Sequence, residues 1–278
     1  MSADRIRVST EWLALREPAD AAARALDLVQ RLGARRPETG RWVIHDLGCG
    51  TGAMGRWLAP LLSGSQHWVV HDVDRDLLEV AAGNLPGRAL DGAAVSVEPQ
   101  QSDITSLDQR DLAGASLITA SALLDLLTED ELARLATVCA GARCPALLTL
   151  SVVGRVELIP ADPLDRRVAA AFDAHQRRLT GRGRLLGPDA VAFAVEQFGQ
   201  LGPEVLVRPS PWRLGGSQAD LAAEWFTGWV SAACEQQFEL AAETDAYQRR
   251  RLAQARAGQL AVTVDHADLL VLPRTSPR

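Results

Sequence analysis

The stretch Trp42-Val43-Ile44-His45-Asp46-Leu47-Gly48-Cys49-Gly50-Thr51-Gly52 decides the fold that we predict for this chain. It indicates a buried strand that ends in an acid and opens into a glycine-rich loop. The apolar run from Met54 to Leu62 predicts a helix directly after the loop. Glycines at alternate positions let the backbone turn tightly and approach a ligand where a Cβ would collide. A helix that begins there points N–H groups without intrahelical partners toward the loop, so the stretch predicts a ligand-binding site.

Two known patterns fit this loop. Asp46 to Gly52 resembles motif I, D-x-G-x-G-x-G, of the class I S-adenosylmethionine-dependent methyltransferases. Gly50 to Gly55 also fits G-x-G-x-x-G, the dinucleotide fingerprint, which is a weak signal when it stands alone. The dinucleotide pattern has no acid two residues before its first glycine, because a carboxylate there would face a pyrophosphate. An acid at that place suits the cationic methionine end of S-adenosylmethionine, so the methyltransferase is favoured over a dinucleotide-dependent oxidoreductase.

The resemblance extends to the ends of the next strands and implies a set of cofactor contacts. Asp72 follows the apolar run 68–70, about 20 residues after the loop, where an acid can accept both ribose hydroxyls. In the family, an acid after the third strand holds the adenine amino group and an apolar neighbour packs on the ring. Asp103 and Ile104 match these positions, although Asp103 also fits a solvated turn. The cofactor-binding residues implied are Asp46, Gly48, Cys49, Gly50, Gly52, Asp72, Val73, Asp103, Ile104 and Ser121.

The pattern of apolar segments predicts the fold class. Residues 41–151 alternate strand and helix, with strands at 42–47, 67–72, 93–97, 115–120 and 146–151. This alternation requires crossover connections and a parallel sheet that is covered on both faces. Residues 204–207 and 260–272 predict two further strands. The resemblance therefore implies an α/β, Rossmann-like, seven-stranded mixed sheet between helices, with six parallel strands and the seventh antiparallel between five and six.

The remaining segments predict a cap and a lid. Residues 1–40 are expected to form an N-terminal helical cap, in which Pro18 breaks the helix or starts its second half. Residues 41–278 form the methyltransferase domain, with helical insertions at about 160–182 and 217–257. These insertions would lie above the carboxyl edge of the sheet, where open α/β sheets bind ligands. The tail after Pro273 is expected to be disordered.

Histidines are the first candidates for a catalytic base. Methyl transfer depends on alignment of the nucleophile with the methyl group, and a base is needed only when the nucleophile starts protonated. We predict His175, on a helix at 163–180 in the first insertion, as that base, although a hydrogen-bonded structural histidine fits there as well. His45 and His71 are predicted to be structural, and His266 is predicted to lie far from the site.

Aromatic residues mark the second insertion. They recur at helical spacing, which is typical of a packed core. Because the insertion lies over the site, the same stripe could instead wall an apolar substrate pocket, together with Trp212 after Pro209-Ser210-Pro211. The stripe consists of Leu221, Trp225, Phe226, Trp229 and Ala233.

Composition narrows the classes of partner. Apolar residues make up 47% of the chain and the mean hydropathy is −0.02, which is typical of a soluble globular protein. No apolar run is long enough to span a bilayer and the N-terminal segment lacks a signal peptide's apolar core, so we expect a cytoplasmic protein with no membrane partner. The net charge is −6 and the arginines are mostly dispersed, which argues against a nucleic-acid partner. The four cysteines lack metal-ligand spacing, so we expect reduced thiols and no metal.

The function implied is transfer of a methyl group from S-adenosylmethionine to a small molecule, with oxygen favoured over nitrogen or carbon as the acceptor atom. Two alternatives stay open. One is an RNA methyltransferase, against which the net acidity counts. The other is a partner protein that binds S-adenosylmethionine without catalysis. The sequence predicts neither the identity of the substrate nor the oligomeric state.

Overall fold

The structure is a computed structural model that describes residues 8–37 and 40–274. Residues 1–7 of the predicted cap, residues 38–39, and residues 275–278 of the predicted tail lie outside the described residues. The first two helices are α1 (Thr10–Ala23) and α2 (Leu26–Gly33). Strands and helices then follow as β1 (Arg41–Leu47), α3 (Ala53–Leu58), β2 (Ser65–Asp72), α4 (Arg75–Asn84), β3 (Val95–Gln101), β4 (Leu117–Ser121), α5 (Glu129–Gly141) and β5 (Ala146–Ile159).

The rest of the chain adds helices and the last strands. Its elements in order are α6 (Asp165–Gln176), β6 (Leu179–Thr180), β7 (Gly183–Arg184), α7 (Ala190–Leu201), β8 (Glu204–Pro209), β9 (Trp212–Leu214), α8 (Ala219–Gln236), α9 (Ala241–Arg256) and β10 (Ala261–Leu272). The second predicted insertion is therefore two helices, α8 and α9. The helix in the first is shorter than the predicted 163–180, since α6 ends at Gln176 and the β6–β7 hairpin follows it.

The strand order of the main sheet confirms the predicted fold class. The order is β3-β2-β1-β4-β5-β10-β8, and β10 is antiparallel to both β5 and β8. The other neighbouring pairs are parallel, which leaves six parallel strands and one antiparallel strand between the fifth and sixth. The short strand β9 is an addition that the sequence pattern did not predict, and it pairs with the first part of β10.

Three apolar cores lie on and above this sheet. One core lies between the sheet and α5 and α7, and another between the sheet and α2, α3 and α4. The third core joins α6, α8 and α9 to the far ends of β5 and β10, and the predicted aromatic stripe contributes Phe226 and Trp229, both fully buried. The core prediction for these two residues is confirmed.

Several boundaries differ from the sequence predictions for physical reasons. Strand β3 runs over Val95–Gln101 rather than 93–97, because it pairs in parallel with β2 up to Asp72↔Gln101. Strand β5 continues to Ile159 because β10 pairs with it over its whole length, from Val271↔Ala146 to Ala261↔Ile159. Pro18 lies inside α1, and the break between the N-terminal helices falls at Arg24 and Ala25 instead. The N–H of Ala25 donates to the carboxylate of Asp268 on β10 over 2.8 Å, which fixes this break against the sheet.

The connection between β3 and β4 also differs from strict alternation. It contains a 3-10 turn at Ile104–Ser106 rather than an α-helix. The carboxylate of Asp103 begins this turn by accepting hydrogen bonds from the N–H and hydroxyl of Thr105, over 3.0 and 2.7 Å.

Candidate active site

The glycine loop after β1 has the backbone conformation that its composition predicts. Gly48, Gly50 and Gly52 have φ of +65°, +53° and +84°, a region that L side chains rarely adopt. A Cβ at Gly52 would also lie 3.0 Å from a methyl group of Leu85 and 3.2 Å from the Cα of Ala81. Gly52 is therefore required for packing of the loop against α4.

The end of β2 holds the loop in place. The carboxylate of Asp72 accepts hydrogen bonds from the N–H of Gly50 through Oδ2, over 2.9 Å, and from the N–H of Asp74 through Oδ1, over 3.0 Å. These bonds use one lone pair on each oxygen, so the carboxylate retains acceptor capacity toward the cavity. Asp72 can thus order the loop and still accept ribose hydroxyls.

Most of the predicted cofactor residues line one cavity of about 960 Å³ at the carboxyl edge of the sheet. Gly52 and Asp103 do not line it: Gly52 packs on α4, and Asp103 is exposed at the 3-10 turn. The cofactor roles of these two residues stay predictions. The predicted residues that do line the cavity are Asp46, Gly48, Cys49, Gly50, Asp72, Val73, Ile104 and Ser121.

The acid at the end of β1 is buried beside the loop. Asp46 is 1% exposed, and its Oδ1 accepts a hydrogen bond from the hydroxyl of Thr119 over 2.7 Å. Its Oδ2 has no hydrogen-bond partner among the described residues. Burial raises the pKa of Asp46 to about 7. A buried carboxylate oxygen without a partner is costly, which favours a ligand cation at this place.

A buried cation lies near Asp46 at the break between α1 and α2. Arg24 is 3% exposed, and its Nη2 donates to the hydroxyl of Ser121 over 3.0 Å. Its Nε and Nη1 are buried without a partner among the described residues, and its guanidinium lies 5.1 Å from the ring centre of Trp57. Burial lowers the pKa of Arg24 from its ordinary value.

Together, Asp46 and Arg24 fit the aminoacyl end of S-adenosylmethionine. That end carries an ammonium and a carboxylate, and the site offers one unpartnered acceptor oxygen and two unpartnered donor nitrogens. Asp46 would hold the ammonium, Arg24 the carboxylate and Asp72 the ribose.

Beyond these residues the cavity continues into an aromatic part, which we call the acceptor chamber. The guanidinium of Arg16 lies 6.0 and 5.0 Å from the ring centres of Trp12 and Trp212, and it pairs with Asp20 over 2.9 Å. Asp20 also accepts a hydrogen bond from the indole N–H of Trp212 over 2.9 Å. The chamber is lined by Trp12, Arg16, Asp125, Val152, Val156, Phe172, Trp212, Trp225, Val264 and His266.

One acid of the chamber, Asp125, was not predicted as a site residue from the sequence. Asp125 follows β4 in the segment Leu123-Leu124-Asp125-Leu126-Leu127. A single acid among leucines after a strand was the sequence signal for a functional residue. Burial raises the pKa of Asp125, and the charges of Arg16 and Arg178 act in the opposite direction. Leu123 from the same loop lies over Gly48: a Cβ added to Gly48 would be 3.1 Å from the Cδ1 of Leu123. Asp125 therefore lies where the loop after β4 approaches the glycine loop.

The prediction that His266 lies far from the site is wrong. Its strand β10 runs beside the extended part of β5, where His266 pairs with Val152, and both residues line the chamber. Burial, followed by the charge of Arg16, lowers the pKa of His266 to about 3, so the imidazole is neutral at physiological pH.

The predicted base His175 lies outside the cavity wall. Its Nδ1 is 3.9 Å from the carboxylate of Glu235 on α8, and it is not among the residues that line the cavity. Its catalytic role stays a prediction that this position does not support. His45 and His71 form a buried pair with 3.0 Å between Nδ1 and Nε2, and the Nδ1 of His71 lies 2.9 Å from the hydroxyl of Ser102.

Three further features bear on the classes of partner. Within residues 8–37 and 40–274, no group of three or more His, Cys, Asp or Glu is arranged to hold a metal ion. Among the described residues, no helix is both long enough and apolar enough to cross a bilayer. All four cysteines are free thiols, and burial raises the pKa of Cys49 in the glycine loop.

Comparison with known proteins identifies the domain. The family model described as a methyltransferase domain matches residues 44–142, from β1 to the end of α5. No curated protein matches the sequence.

Solved structures with similar folds are distant in sequence. The cyclopropane synthase MmaA2 from Mycobacterium tuberculosis is 14% identical, with 95% of this chain and 94% of that chain covered and a TM-score of 0.49. An S-adenosylmethionine-dependent methyltransferase from Geobacter sulfurreducens, in complex with S-adenosyl-L-homocysteine, is 14% identical, with 97% and 100% covered and a TM-score of 0.43. The match and the strand order show that residues 44–142 form a methyltransferase domain with the class I fold, the domain of enzymes that use S-adenosylmethionine.

Proposed function

We propose that the protein transfers a methyl group from S-adenosylmethionine to a small molecule, with a hydroxyl oxygen as the acceptor atom. The acceptor chamber carries this proposal. It continues the cavity from the cofactor residues, and its walls come from α1, α6 and α8 as well as from the sheet. A chamber enclosed by helices on several sides favours a compact acceptor over a macromolecule.

Asp125 supports oxygen as the acceptor atom. A hydroxyl is a weak nucleophile until it loses its proton, and a base within hydrogen-bond reach contributes about 10²–10⁴-fold to such a reaction. The carboxylate of Asp125 lines the cavity, and the hydrogen-bond donor that acts on it is its own backbone N–H. We assign it the role of proton acceptor.

The roles of the chain's residues follow from their positions. The bound cofactor supplies an electrophilic methyl group on a sulfonium. Asp46, Arg24 and Asp72 would hold its two ends, and the aromatic walls would orient the acceptor and exclude water. An oxygen of Asp125 would take the hydroxyl proton from the acceptor, so that the acceptor oxygen could receive the methyl group.

The test has two stages. Calorimetry with S-adenosylhomocysteine, with NADH as the control, measures cofactor binding, and we expect micromolar affinity for the former alone. Labelled S-adenosylmethionine is then offered with matched phenols, aromatic amines and carboxylic acids, and with bulk transfer RNA. We expect label on the phenol oxygen. Label on RNA alone would overturn the proposal, and cofactor binding without transfer to any acceptor would favour the non-catalytic partner protein.

A further inference from the structure

We propose that the acceptor is a planar phenol that also carries a carbonyl group, and that Arg16 donates hydrogen bonds to the carbonyl oxygen while the hydroxyl lies at Asp125. The inference rests on the proposed function, because it takes the acceptor chamber and the role of Asp125 from it. It adds the chemical class of the acceptor. The unused donors of Arg16 and the charges around them carry it.

Arg16 has hydrogen-bonding capacity that the surrounding chain does not use. Its Nε and Nη2 donate to Oδ2 and Oδ1 of Asp20 over 2.9 and 3.2 Å. A guanidinium has five N–H groups, two of which are on Nη1. The Nη1 of Arg16 forms no hydrogen bond with any of the described residues, and the side chain is only 15% exposed in the wall of the chamber. Donors in so enclosed a position favour a ligand that accepts hydrogen bonds.

The guanidinium of Arg16 is held in one place by its neighbours. It lies near the ring centres of both Trp12 and Trp212. Its partner Asp20 is 5% exposed and also accepts the hydrogen bond from the indole N–H of Trp212. Because these side chains fix one another, Nη1 is a positioned donor and not the end of a mobile surface side chain.

The charges near the chamber favour a neutral group on the acceptor. Asp20 balances the charge of Arg16 over 2.9 Å. Arg16 and Arg178 both lie near enough to act on the ionisation of Asp125. Each of these two positive charges therefore already has a carboxylate near it. A carboxylate on the acceptor would meet Asp20 and Asp125 as like charges, whereas a carbonyl oxygen accepts the same hydrogen bonds without that repulsion.

His266 supplies a second polar surface without charge in the same part of the chamber. Its ring centre lies 5.3 Å from that of Trp212, and the guanidinium of Arg16 lies 5.0 Å from the ring centre of the same indole. The imidazole of His266 is neutral at physiological pH because it is buried. It therefore adds nothing that would select an ionised group.

The walls of the chamber favour a flat ring between the two polar groups. Phe172 from α6 and Trp225 from α8 line the chamber together with the tryptophans beside Arg16. Trp225 stacks on Trp229 with 5.2 Å between ring centres and an interplanar angle of 20°, which fixes its orientation. Fixed aromatic faces bind a planar ring through stacked and edge-to-face contacts. An aliphatic hydroxyketone would satisfy the polar groups and leave these faces without a partner.

The first test measures binding alone, to the complex of the protein with S-adenosylhomocysteine. The probes are meta- and para-methoxyacetophenone, each matched with the corresponding ethylanisole, in which a methylene replaces the carbonyl. None of them has a hydroxyl whose acidity would differ. Calorimetry should show at least one ketone bound about 10- to 100-fold more tightly than its ethyl partner, the size of one charge-assisted hydrogen bond. Equal affinities within both pairs overturn the carbonyl contact, and tighter binding of para-methoxybenzoate or para-methoxyphenethylamine overturns the neutral group.

Variants assign the preference for the ketone to Arg16. Arg16→Met combined with Asp20→Asn removes the guanidinium without leaving a buried carboxylate unpaired, and it should bind the ketone and its ethyl partner with similar affinity. Arg16→Lys should retain part of the preference. Arg208→Met is the matched control that should keep all of it, because Arg208 pairs with Asp27 on α2 and does not line the cavity. An unchanged preference in the double variant overturns the role of Arg16, and the wild-type comparison stands even if that variant fails to fold.

Turnover separates this inference from the proposed function. Labelled S-adenosylmethionine is offered with meta- and para-hydroxyacetophenone and with the matched ethylphenols. We expect kcat/KM to be higher for a ketone than for its ethyl partner, and the ratio to fall in the double variant, where the acidity of each phenol is unchanged. Label on phenols with the same ratio in both proteins overturns the inference and leaves the proposed function standing. Ketone-selective binding without label on any phenol overturns the proposed function instead.

Discussion

The carboxylate of Asp72 accepts a hydrogen bond from the N–H of Gly50 over 2.9 Å, which joins the end of β2 to the centre of the glycine loop. The residue predicted to hold the ribose thus also shapes the loop beside it. This double role means that a substitution at Asp72 removes a ligand contact and a support at once.

We expect Asp72→Ala to weaken S-adenosylhomocysteine binding by about 10- to 100-fold, since charge-assisted hydrogen bonds contribute roughly 1.5–3 kcal/mol. Calorimetry measures the change. Asp91→Ala is the control, because Asp91 accepts hydrogen bonds from the N–H groups of Gly64 and Ala93, does not line the cavity, and should affect stability more than affinity. Unchanged affinity in Asp72→Ala would remove its assignment as the ribose acid.

Asp46 should make cofactor binding depend on pH. Because burial raises its pKa to about 7, the carboxyl holds its proton at lower pH, whereas an ammonium ligand requires the carboxylate. We expect affinity for S-adenosylhomocysteine to rise with pH, by up to about tenfold per unit below that pKa, and to level off above about pH 7. Calorimetry from pH 5 to 8.5 tests this, and Asp46→Asn should give a weaker affinity without that rise.

Asp46 should also make the stability of the ligand-free protein depend on pH, but here stability falls as pH rises. The unfolded chain ionises Asp46 near its ordinary pKa of 3.8, whereas the folded protein retains the proton up to about pH 7. Ligand-free protein therefore loses stability from this group as pH rises between these values. Urea unfolding should show that Asp46→Asn gains stability relative to the wild type over this range; a constant difference would contradict the raised pKa.

Asp125→Asn should abolish most methyl transfer while leaving cofactor affinity unchanged. Loss of the proton acceptor is expected to lower kcat by about 10²–10⁴-fold. The base must be ionised, so kcat/KM of the wild type should rise with pH through the pKa of Asp125, which burial holds above its usual range. His175→Gln serves as the comparison, and a larger loss there than in Asp125→Asn would restore His175 as the base.

Gly52→Ala should destabilise the fold. The residue has φ of +84°, and a Cβ there would crowd Ala81 on α4 and Leu85 directly after it. We expect the free energy of unfolding to fall by about 1–3 kcal/mol, as measured by urea denaturation. Gly83→Ala is the matched control on an exposed turn of α4, where nothing lies within 4 Å, and it should raise stability by about 0.5–1 kcal/mol.

The cofactor half of the site could be predicted from sequence because its signals are local. A strand end, a glycine loop and an acid at the next strand end lie within one stretch of chain, and parallel topology brings their carboxyl ends together. Asp46, Gly50 and Asp72 accordingly line one cavity. Arg24 was not predicted, because its partners are distant in sequence and an arginine near a helix end is common.

The acceptor half could not be predicted because its residues come together through long-range pairing. His266 reaches the chamber only because β10 pairs along the whole of β5, which extends well beyond the predicted end at residue 151. His175 was a reasonable candidate on its own helix, but the packing of α6 against α8 directs it toward Glu235. Helical periodicity identifies a packed face without saying which neighbour packs there.

Strands β5 and β10 extend beyond the edge of the sheet that carries the cofactor residues, and the acceptor chamber is built on this extension. The walls from α6, α8 and β9 rest on their own apolar core, while the glycine loop and its acids rest on the other two. Substitutions in the third core should therefore reshape the walls around the acceptor while leaving the packing beneath the glycine loop unchanged.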